Sequence, residues 1–217
     1  MKKHYQNIVI GAGSGGMTAA IGLSALGKEV ALIEGLHVGG DCTNVGCVPS
    51  KTLIHLAKNF KEGTNPDEVL RETIRKRDAL RNLETEEVQE IENLTFIEGM
   101  AQFTAPKTLE ITNSAGETQQ ITAENIVIST GARPRRLDIP GLPAERSMTN
   151  IELFDLENAP KHIAIIGAGV IALEMAFALQ KIGTKVTMLA LDKRALITSI
   201  SEAAEAIQAS LDHKGIA

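Results

Sequence analysis

The chain has 217 residues, 43% of them hydrophobic, a net charge of −5, and aromatic content limited to five Phe and one Tyr. That composition excludes the disordered and membrane-spanning classes and calls for a core of Ala, Val, Ile and Leu, as α/β folds have. The acidic balance offers no attraction to phosphate backbones or anionic membranes, so neither a nucleic-acid nor a membrane partner is expected.

The two lysines near the start precede an apolar run too short for an export signal, which makes the cytoplasm the expected compartment. Structural disulfides are rare there. Cys42 and Cys47, the two cysteines of the chain, therefore point to redox or metal chemistry.

Residues 7–34 read as one β-α-β unit: a strand Ile8–Ile10, a glycine turn, an Ala/Leu/Ile helix from about Gly15 to Gly27, and a strand Val30–Ile33. The turn fits GxGxxG through Gly11, Gly13 and Gly16, with Ala12, Ser14 and Gly15 between them. Its first glycine permits the tight turn, the second lets the backbone approach a pyrophosphate, and the third lets helix and strand pack closely. N–H groups at the helix start, aided by the helix dipole, hold phosphates. Glu34, closing the second strand, is placed to accept hydrogen bonds from a ribose. A lone glycine motif means little; with a strand before, a helix after and an acid in place, it reads as a dinucleotide site.

The segment Gly39-Gly40-Asp41-Cys42-Thr43-Asn44-Val45-Gly46-Cys47-Val48-Pro49-Ser50-Lys51 comes next. In a regular helix, residues five apart hold their Cα atoms beyond the ~7 Å that a disulfide bridges. Cys42 is thus expected in a turn before a helix and Cys47 near that helix's N-terminus, where the dipole favours a thiolate. Pro49 suits the first turn of the helix, which continues through Leu53, Ile54, Leu56 and Ala57. His37 and His55 flank the cysteines without the ligand spacing of zinc sites, so no resident metal is expected.

Asn65-Pro66-Asp67-Glu68 reads as a helix start. The helix behind it carries Arg71, Arg75, Lys76, Arg77 and Arg81, then Glu84, Glu86, Glu87, Glu90 and Glu92, which read as a solvated, salt-bridged face rather than an anion site. From Thr95 to Thr130 the pattern shortens to TFIEGMAQF, TLEIT and IVIST, a small antiparallel sheet. ARPRRLDIPGLP is a connection, with a domain boundary near 148.

HIAIIGAGVIALEMAFALQKIGTKVTML then repeats the order of NIVIGAGSGGMTAAIGLSALGKEVALIE, and a duplicated dinucleotide unit implies two dinucleotides. Gly167, Gly169 and Ala172 take the three glycine positions. Ala190 and Leu191 stand where an NAD-reading acid belongs. Lys193 and Arg194 just beyond could meet a 2′-phosphate, although bases in such loops are more often solvated; NADP is favoured over NAD on this ground alone.

GGDCTNVGCVPSK closely resembles the redox signature GGTCxNxGCxPSK of the class I pyridine nucleotide–disulfide oxidoreductases, the family of glutathione reductase, dihydrolipoamide dehydrogenase and mercuric reductase. STGARP at 129–134 resembles the family's ATGxxP element, and GAGVIALE at 167–174 its nicotinamide-domain motif. The resemblance spans essentially the whole chain. It implies an α/β fold of two Rossmann-like units, an FAD-binding domain over 1–147 with a small antiparallel insertion and a truncated NAD(P)-binding domain over 148–217.

The resemblance also implies roles. Cys42 is the interchange thiol that meets substrate, and Cys47 the thiol that contacts the flavin and forms a charge-transfer complex with it. Lys51 and Glu174 match a pair beside the flavin N5. FAD contacts are implied for Gly11, Gly13, Ser14, Gly15, Gly16, Glu34, Gly40, Asp41, Ala101, Thr130 and Gly131, and NAD(P) contacts for Gly167, Gly169 and Ala172. Asp41 departs from the family's usual threonine and would add negative charge near the pyrophosphate. Electrons would run from NAD(P)H through FAD to the Cys42–Cys47 disulfide, then to a disulfide, a dithiol-linked or a metal-ion substrate, with the mercuric reductase-like and dihydrolipoamide dehydrogenase-like branches favoured. A homodimer is implied for the full-length protein. None of His4, His37, His55, His162 and His213 matches the family's C-terminal base, so the chain reads as an N-terminal portion that retains FAD weakly and has no turnover alone. The alternative is a dinucleotide-binding module without turnover.

Overall fold

The computed structural model describes residues 3–61, 63–191 and 194–217. By its internal contacts the chain divides into two compact units, Met1–Val48 with Arg77–Thr149, and Pro49–Lys76 with Asn150–Ala217.

In the first unit, β1 (His4–Ile10) pairs in parallel with β2 (Val30–Glu34) on one side and with β6 (Thr118–Ile128) on the other. Beyond β2 the parallel set continues with β3 (Leu94–Glu98). Beyond β6 the sheet turns antiparallel through β5 (Thr108–Thr112) and β4 (Met100–Ala105), giving the order β3-β2-β1-β6-β5-β4. The antiparallel strands expected between Thr95 and Thr130 are thus an extension of the main sheet rather than a sheet apart, and of the expected runs the first half of TFIEGMAQF and residues 126–128 of IVIST join the parallel set instead. One long strand causes this: β6 lies against β5 with Thr118–Thr122 and against β1 from Thr122 on.

Both faces of the sheet centre are covered, which is why β2 reads as an unbroken apolar run. Ile8, Ile10, Ala31 and Ile33 pack on one side with Ile97, Leu109, Ile111 and Ile121. Val9, Val30 and Leu32 pack on the other with Ala12, Val38, Val88 and Ala20 of α1 (Ser14–Ala25). Full burial of each large aliphatic side chain contributes about 1.5–3 kcal/mol. β1 begins at His4 rather than Ile8, since β6 pairs with it from His4 on and β2 from Asn7; buried Asn7 donates to the Glu29 carbonyl at 3.1 Å.

Two helices follow β2: α2 (Gly40–Val45) and α3 (Cys47–Lys58), the latter belonging to the second unit from Pro49 on. The long α4 (Pro66–Glu90) starts at the expected cap, with Asn65 Oδ1 accepting from the Asp67 N–H at 3.1 Å. Its charged face corrects the expectation in part. Arg71, Arg75 and Lys76 are solvated and pair with Asp67 and Glu72. Arg77, however, is only 5% exposed and Arg81 is half-buried. Long arginine stems cover apolar surface while their heads find acceptors, and this is possible only where a helix lies against other backbone.

The second unit carries β7 (His162–Ile166) parallel to β8 (Lys185–Leu189), joined by α6 (Val170–Lys181), with α5 (Asn150–Leu153) before and α7 (Ser201–His213) after. Leu173, Ala176, Leu179 and Ile182 are buried with Val186, Ala204 and Leu211. The duplication extends to single hydrogen bonds. Gly11 donates to the Ile33 carbonyl at 2.7 Å and Gly167 to that of Leu189 at 2.8 Å; Lys28 donates to Leu23 and Thr184 to Leu179, each at 3.1 Å. No described helix is long and apolar enough to cross a membrane.

Two glycines of α1 are opposites. A side chain at Gly16 would overlap the Gly11 carbonyl, whereas Gly22 faces open space. Gly16→Ala is expected to lower the unfolding free energy in urea by about 1–3 kcal/mol, and Gly22→Ala to raise it by about 0.5–1 kcal/mol, because helix-interior glycine is entropically costly. Equal effects of the two would contradict this packing.

Candidate functional site

The turn after β1 is shaped for close approach. Gly11 has φ +98°, and a side chain there would overlap the Ser129 carbonyl. α1 opens at Ser14 without a side-chain cap, and its first internal bond runs from the Met17 N–H to the Gly13 carbonyl at 2.8 Å. The N–H groups of Ser14, Gly15 and Gly16 precede that bond and so have no acceptor within the helix. Glu34 closes the turn: Oε2 accepts from the Ala12 N–H and Oε1 from the Leu36 N–H, both at 2.7 Å. Two carboxylate oxygens offer about four acceptor positions, so capacity remains for ribose hydroxyls. Uncapped donors beside an oriented acid fit the pyrophosphate and ribose of a dinucleotide.

The cysteine segment is docked on this turn. Gly39 donates to the Ala12 carbonyl at 2.8 Å, and a Cβ on Gly40 would stand 2.7 Å from the Gly13 Cα. Cys42 lies within the short helix α2, not in a turn as expected. The chain breaks at Gly46 (φ −130°, ψ −115°), and Cys47 begins α3. A Cβ on Gly46 would sit 2.7 Å from the Asp41 carbonyl oxygen. The spacing argument is therefore met by a break between two helices, which achieves what one continuous helix cannot.

Both cysteines are thiols, Cys42 half-buried and Cys47 exposed. They are joined by a side-chain hydrogen bond, which pushes the Cys42 thiol above its ordinary range; burial, the Cys47 sulfur and the Glu84 carboxylate act in the same direction. Cys42 thus holds its proton to higher pH than an ordinary cysteine.

Helix α4 supplies contacts that the sequence did not reveal. Asn44 donates from Nδ2 to the carbonyls of Val38 and Gly40 at 2.9 and 2.8 Å, and its Oδ1 accepts from Arg81 Nε. Thr43 Oγ1 donates to Glu84 Oε1 at 3.1 Å. Partial burial and the charge of Arg81 hold the His37 imidazole below its ordinary value, against the pull of Glu34. Asn44 sat within a conspicuous motif, but a run of charges on a helix gives no sign of which ones face protein.

Other expected positions are scattered more widely in the first unit. Ala101 lies on β4 opposite Ile111, and Asp41 is exposed. Thr130 and Gly131, the latter at φ +66°, follow β6 where it leaves the sheet. Ser129, which the sequence did not single out, donates its N–H to the Ile10 carbonyl at 2.8 Å and borders Gly11, Gly15 and Gly16.

In the second unit, Lys51 Nζ meets both oxygens of Glu174 at 2.6 Å, with the lysine side chain 60% exposed. Gly167, at φ +116°, and Gly169 form the turn before α6, which also lacks a side-chain cap; Ala172 is half-buried in the first turn of that helix. No acid stands at Ala190. Arg194 is neither merely solvated nor aimed outward, because its guanidinium donates to Ser201 Oγ at 3.2 Å and to the carbonyls of Ile197 and Ser199 at 3.3 Å. Lys193 lies outside the described residues.

A family model described as pyridine nucleotide-disulphide oxidoreductase matches residues 5–217. Mercuric reductase of Staphylococcus aureus is 32% identical over 98% of the chain, and dihydrolipoyl dehydrogenase 3 of Pseudomonas aeruginosa is 32% identical over 100% of it. The chain spans 40% and 50% of those two proteins. Among solved structures, the Cu(II) complex of the HOCl-induced flavoprotein disulfide reductase RclA from Escherichia coli superposes with a TM-score of 0.86 and 31% identity, covering 100% of this chain and 48% of that one.

Asn44 is the residue on which the geometry of the cysteine segment converges. Asn44→Ala removes one acceptor and two donated bonds, and is expected to reduce the unfolding free energy in urea by about 1–3 kcal/mol. An unchanged denaturation midpoint would show that these bonds do not hold the segment.

Proposed function

The chain belongs to the pyridine nucleotide–disulphide oxidoreductase family, and on that premise we propose that it is the part of an FAD-dependent NAD(P)H disulfide oxidoreductase that holds the redox-active thiols. The observation that carries the proposal is the hydrogen-bonded pair Cys42–Cys47, formed across the Gly46 break in a segment packed on the glycine turn. Residues 1–147 form the FAD-binding portion in this reading, and 148–217 part of the NAD(P)-binding portion.

FAD, when bound, supplies the two-electron relay between the nicotinamide and the thiol pair. The residues around it have separable tasks. Ser14, Gly15 and Gly16 present backbone donors to the pyrophosphate, Glu34 accepts from the ribose, and Gly40, Asp41, Ala101, Thr130 and Gly131 line the cofactor. Glu174 orients Lys51 through the two-pronged ion pair, keeping a positive charge available to the reduced cofactor. In the second portion Gly167, Gly169 and Ala172 take the nicotinamide dinucleotide. With Arg194 turned onto its own loop, neither NADP nor NAD is favoured by that residue.

The thiols carry the exchange. The Cys42 sulfur, once deprotonated, attacks one sulfur of a substrate disulfide; the other sulfur leaves as a thiolate and takes up a proton. Cys47 then attacks Cys42 in the mixed disulfide, closing the Cys42–Cys47 bond and releasing the second substrate thiol. Two thiols are oxidised to one disulfide and the substrate disulfide is reduced to two thiols. A dithiol-linked substrate or a thiophilic metal ion such as mercuric ion fits the same pair. Relatives named for mercuric ion and for dihydrolipoyl groups are equally similar, and both classes stay within the proposal. A cytoplasmic homodimer belongs to it on family resemblance.

In the flavin-loaded full-length protein, Cys42→Ser and Cys47→Ser are each expected to cut NAD(P)H-dependent disulfide reduction by at least roughly a hundredfold. Cys47→Ser should also abolish the long-wavelength absorbance of the reduced protein, which Cys42→Ser should retain. A reversed pattern would exchange the roles of the two thiols, and a full-length protein that takes up no flavin would refute the proposal.

A further inference from the structure

The face of α4 toward the cysteine segment carries a carboxylate that the exchange reaction leaves unused. Glu84 Oε1 accepts from Thr43, while Oε2 is buried and has no hydrogen-bond partner among the described residues. That oxygen presses on Gly39, where any side chain would overlap it. One turn earlier, Arg81 holds Asn44. Helix α4 thus grips two consecutive buried residues, Thr43 and Asn44, of the six-residue helix that carries Cys42. A carboxylate oxygen withdrawn from water without a partner costs free energy. An amide at position 84 would accept the Thr43 hydroxyl equally well, so what the carboxylate adds is charge.

We propose that Glu84 is a positioning residue for the thiol pair: through Thr43 it holds the short helix so that Cys42 faces Cys47, and its carboxylate places negative charge on the Cys42 side of the pair. The inference rests on the reading of Cys42 and Cys47 as a redox couple. The groups facing Cys42 are Cys47 from α3 and Glu84 from α4, with exposed Asp41 beside it on its own helix. The side-chain bond to Cys47, burial and the Glu84 charge oppose ionisation of Cys42, while a backbone bond to Cys47 favours it. A thiol raised above its ordinary value stays protonated to higher pH, so the Glu84 charge helps keep Cys42 in the thiol form. Removing the Glu84 charge makes Cys42 ionise at lower pH.

The test uses the flavin-loaded protein reduced with dithiothreitol, with iodoacetamide alkylation of Cys42 followed across pH by peptide mass spectrometry. Glu84→Gln retains an acceptor for Thr43 and removes the charge. Its Cys42 should react about two- to threefold faster at neutral pH, as expected for a minor contribution from one charge, with the whole profile displaced to lower pH and the melting temperature close to wild type. A profile superimposable on wild type would overturn the inference. If Glu84→Gln does not fold, Thr43→Val tests the positioning half: closure of the Cys42–Cys47 disulfide by oxidised glutathione should slow roughly three- to tenfold, and closure at the wild-type rate would overturn it. The two readings fail separately. A full-length protein without flavin sinks the oxidoreductase proposal, whereas a flavoprotein with an unmoved Cys42 profile sinks only the role of Glu84.

Discussion

The approach of two backbones, Gly13 to Gly40, is the constraint on which the first unit's site depends. A single Cβ on Gly40 would come within 2.7 Å of the Gly13 Cα, so the glycine turn and the cysteine segment meet with no side chain between them. Two bonds lock the junction: Gly39 donates to the Ala12 carbonyl, and Ala12 donates to Glu34. One residue, Ala12, therefore links the glycine turn, Glu34 and the cysteine segment. Glycine at these positions answers to the distance between segments as much as to local dihedral preference.

The second requirement is a break in helical geometry between two cysteines five residues apart. Gly46 interrupts what would otherwise be one helix from Gly40 to Lys58, and the interruption brings together two thiols that a continuous helix would hold apart. A six-residue helix has little stability of its own. Its position is set from outside, by Asn44 and Thr43 meeting Arg81 and Glu84. The long helix α4 is in this sense part of the site, although it contributes no reacting atom.

Some of this was legible in the sequence because the physical demand leaves few residue choices. Gly11 and Gly16 could be assigned because a tight turn and a helix–strand contact exclude a side chain, Gly13 because its motif position calls for close approach of a ligand, and Glu34 because its place follows from strand length. Lys51 and Glu174 are 123 positions apart, and it was the resemblance, not any spacing, that paired them before the ion pair was seen. The burial of Arg77 and Arg81 was not legible, since helical periodicity does not say which charged stripe meets protein. Nor was the reach of β6: turn residues mark where a strand ends, but not that its two halves serve different neighbours. The bonds of Arg194 to its own loop escaped for the same reason, because local composition cannot distinguish a solvated base from one satisfied by nearby carbonyls.

The account stands on Cys42 and Cys47 forming a reversible couple with each other. Equilibrating the chain in glutathione buffers of graded potential and weighing the trapped, alkylated species by mass spectrometry measures this directly. A single cooperative two-electron transition between dithiol and the intramolecular Cys42–Cys47 disulfide is predicted. Accumulation of mixed disulfides with glutathione on either cysteine, with no intramolecular bond at any potential, would contradict it.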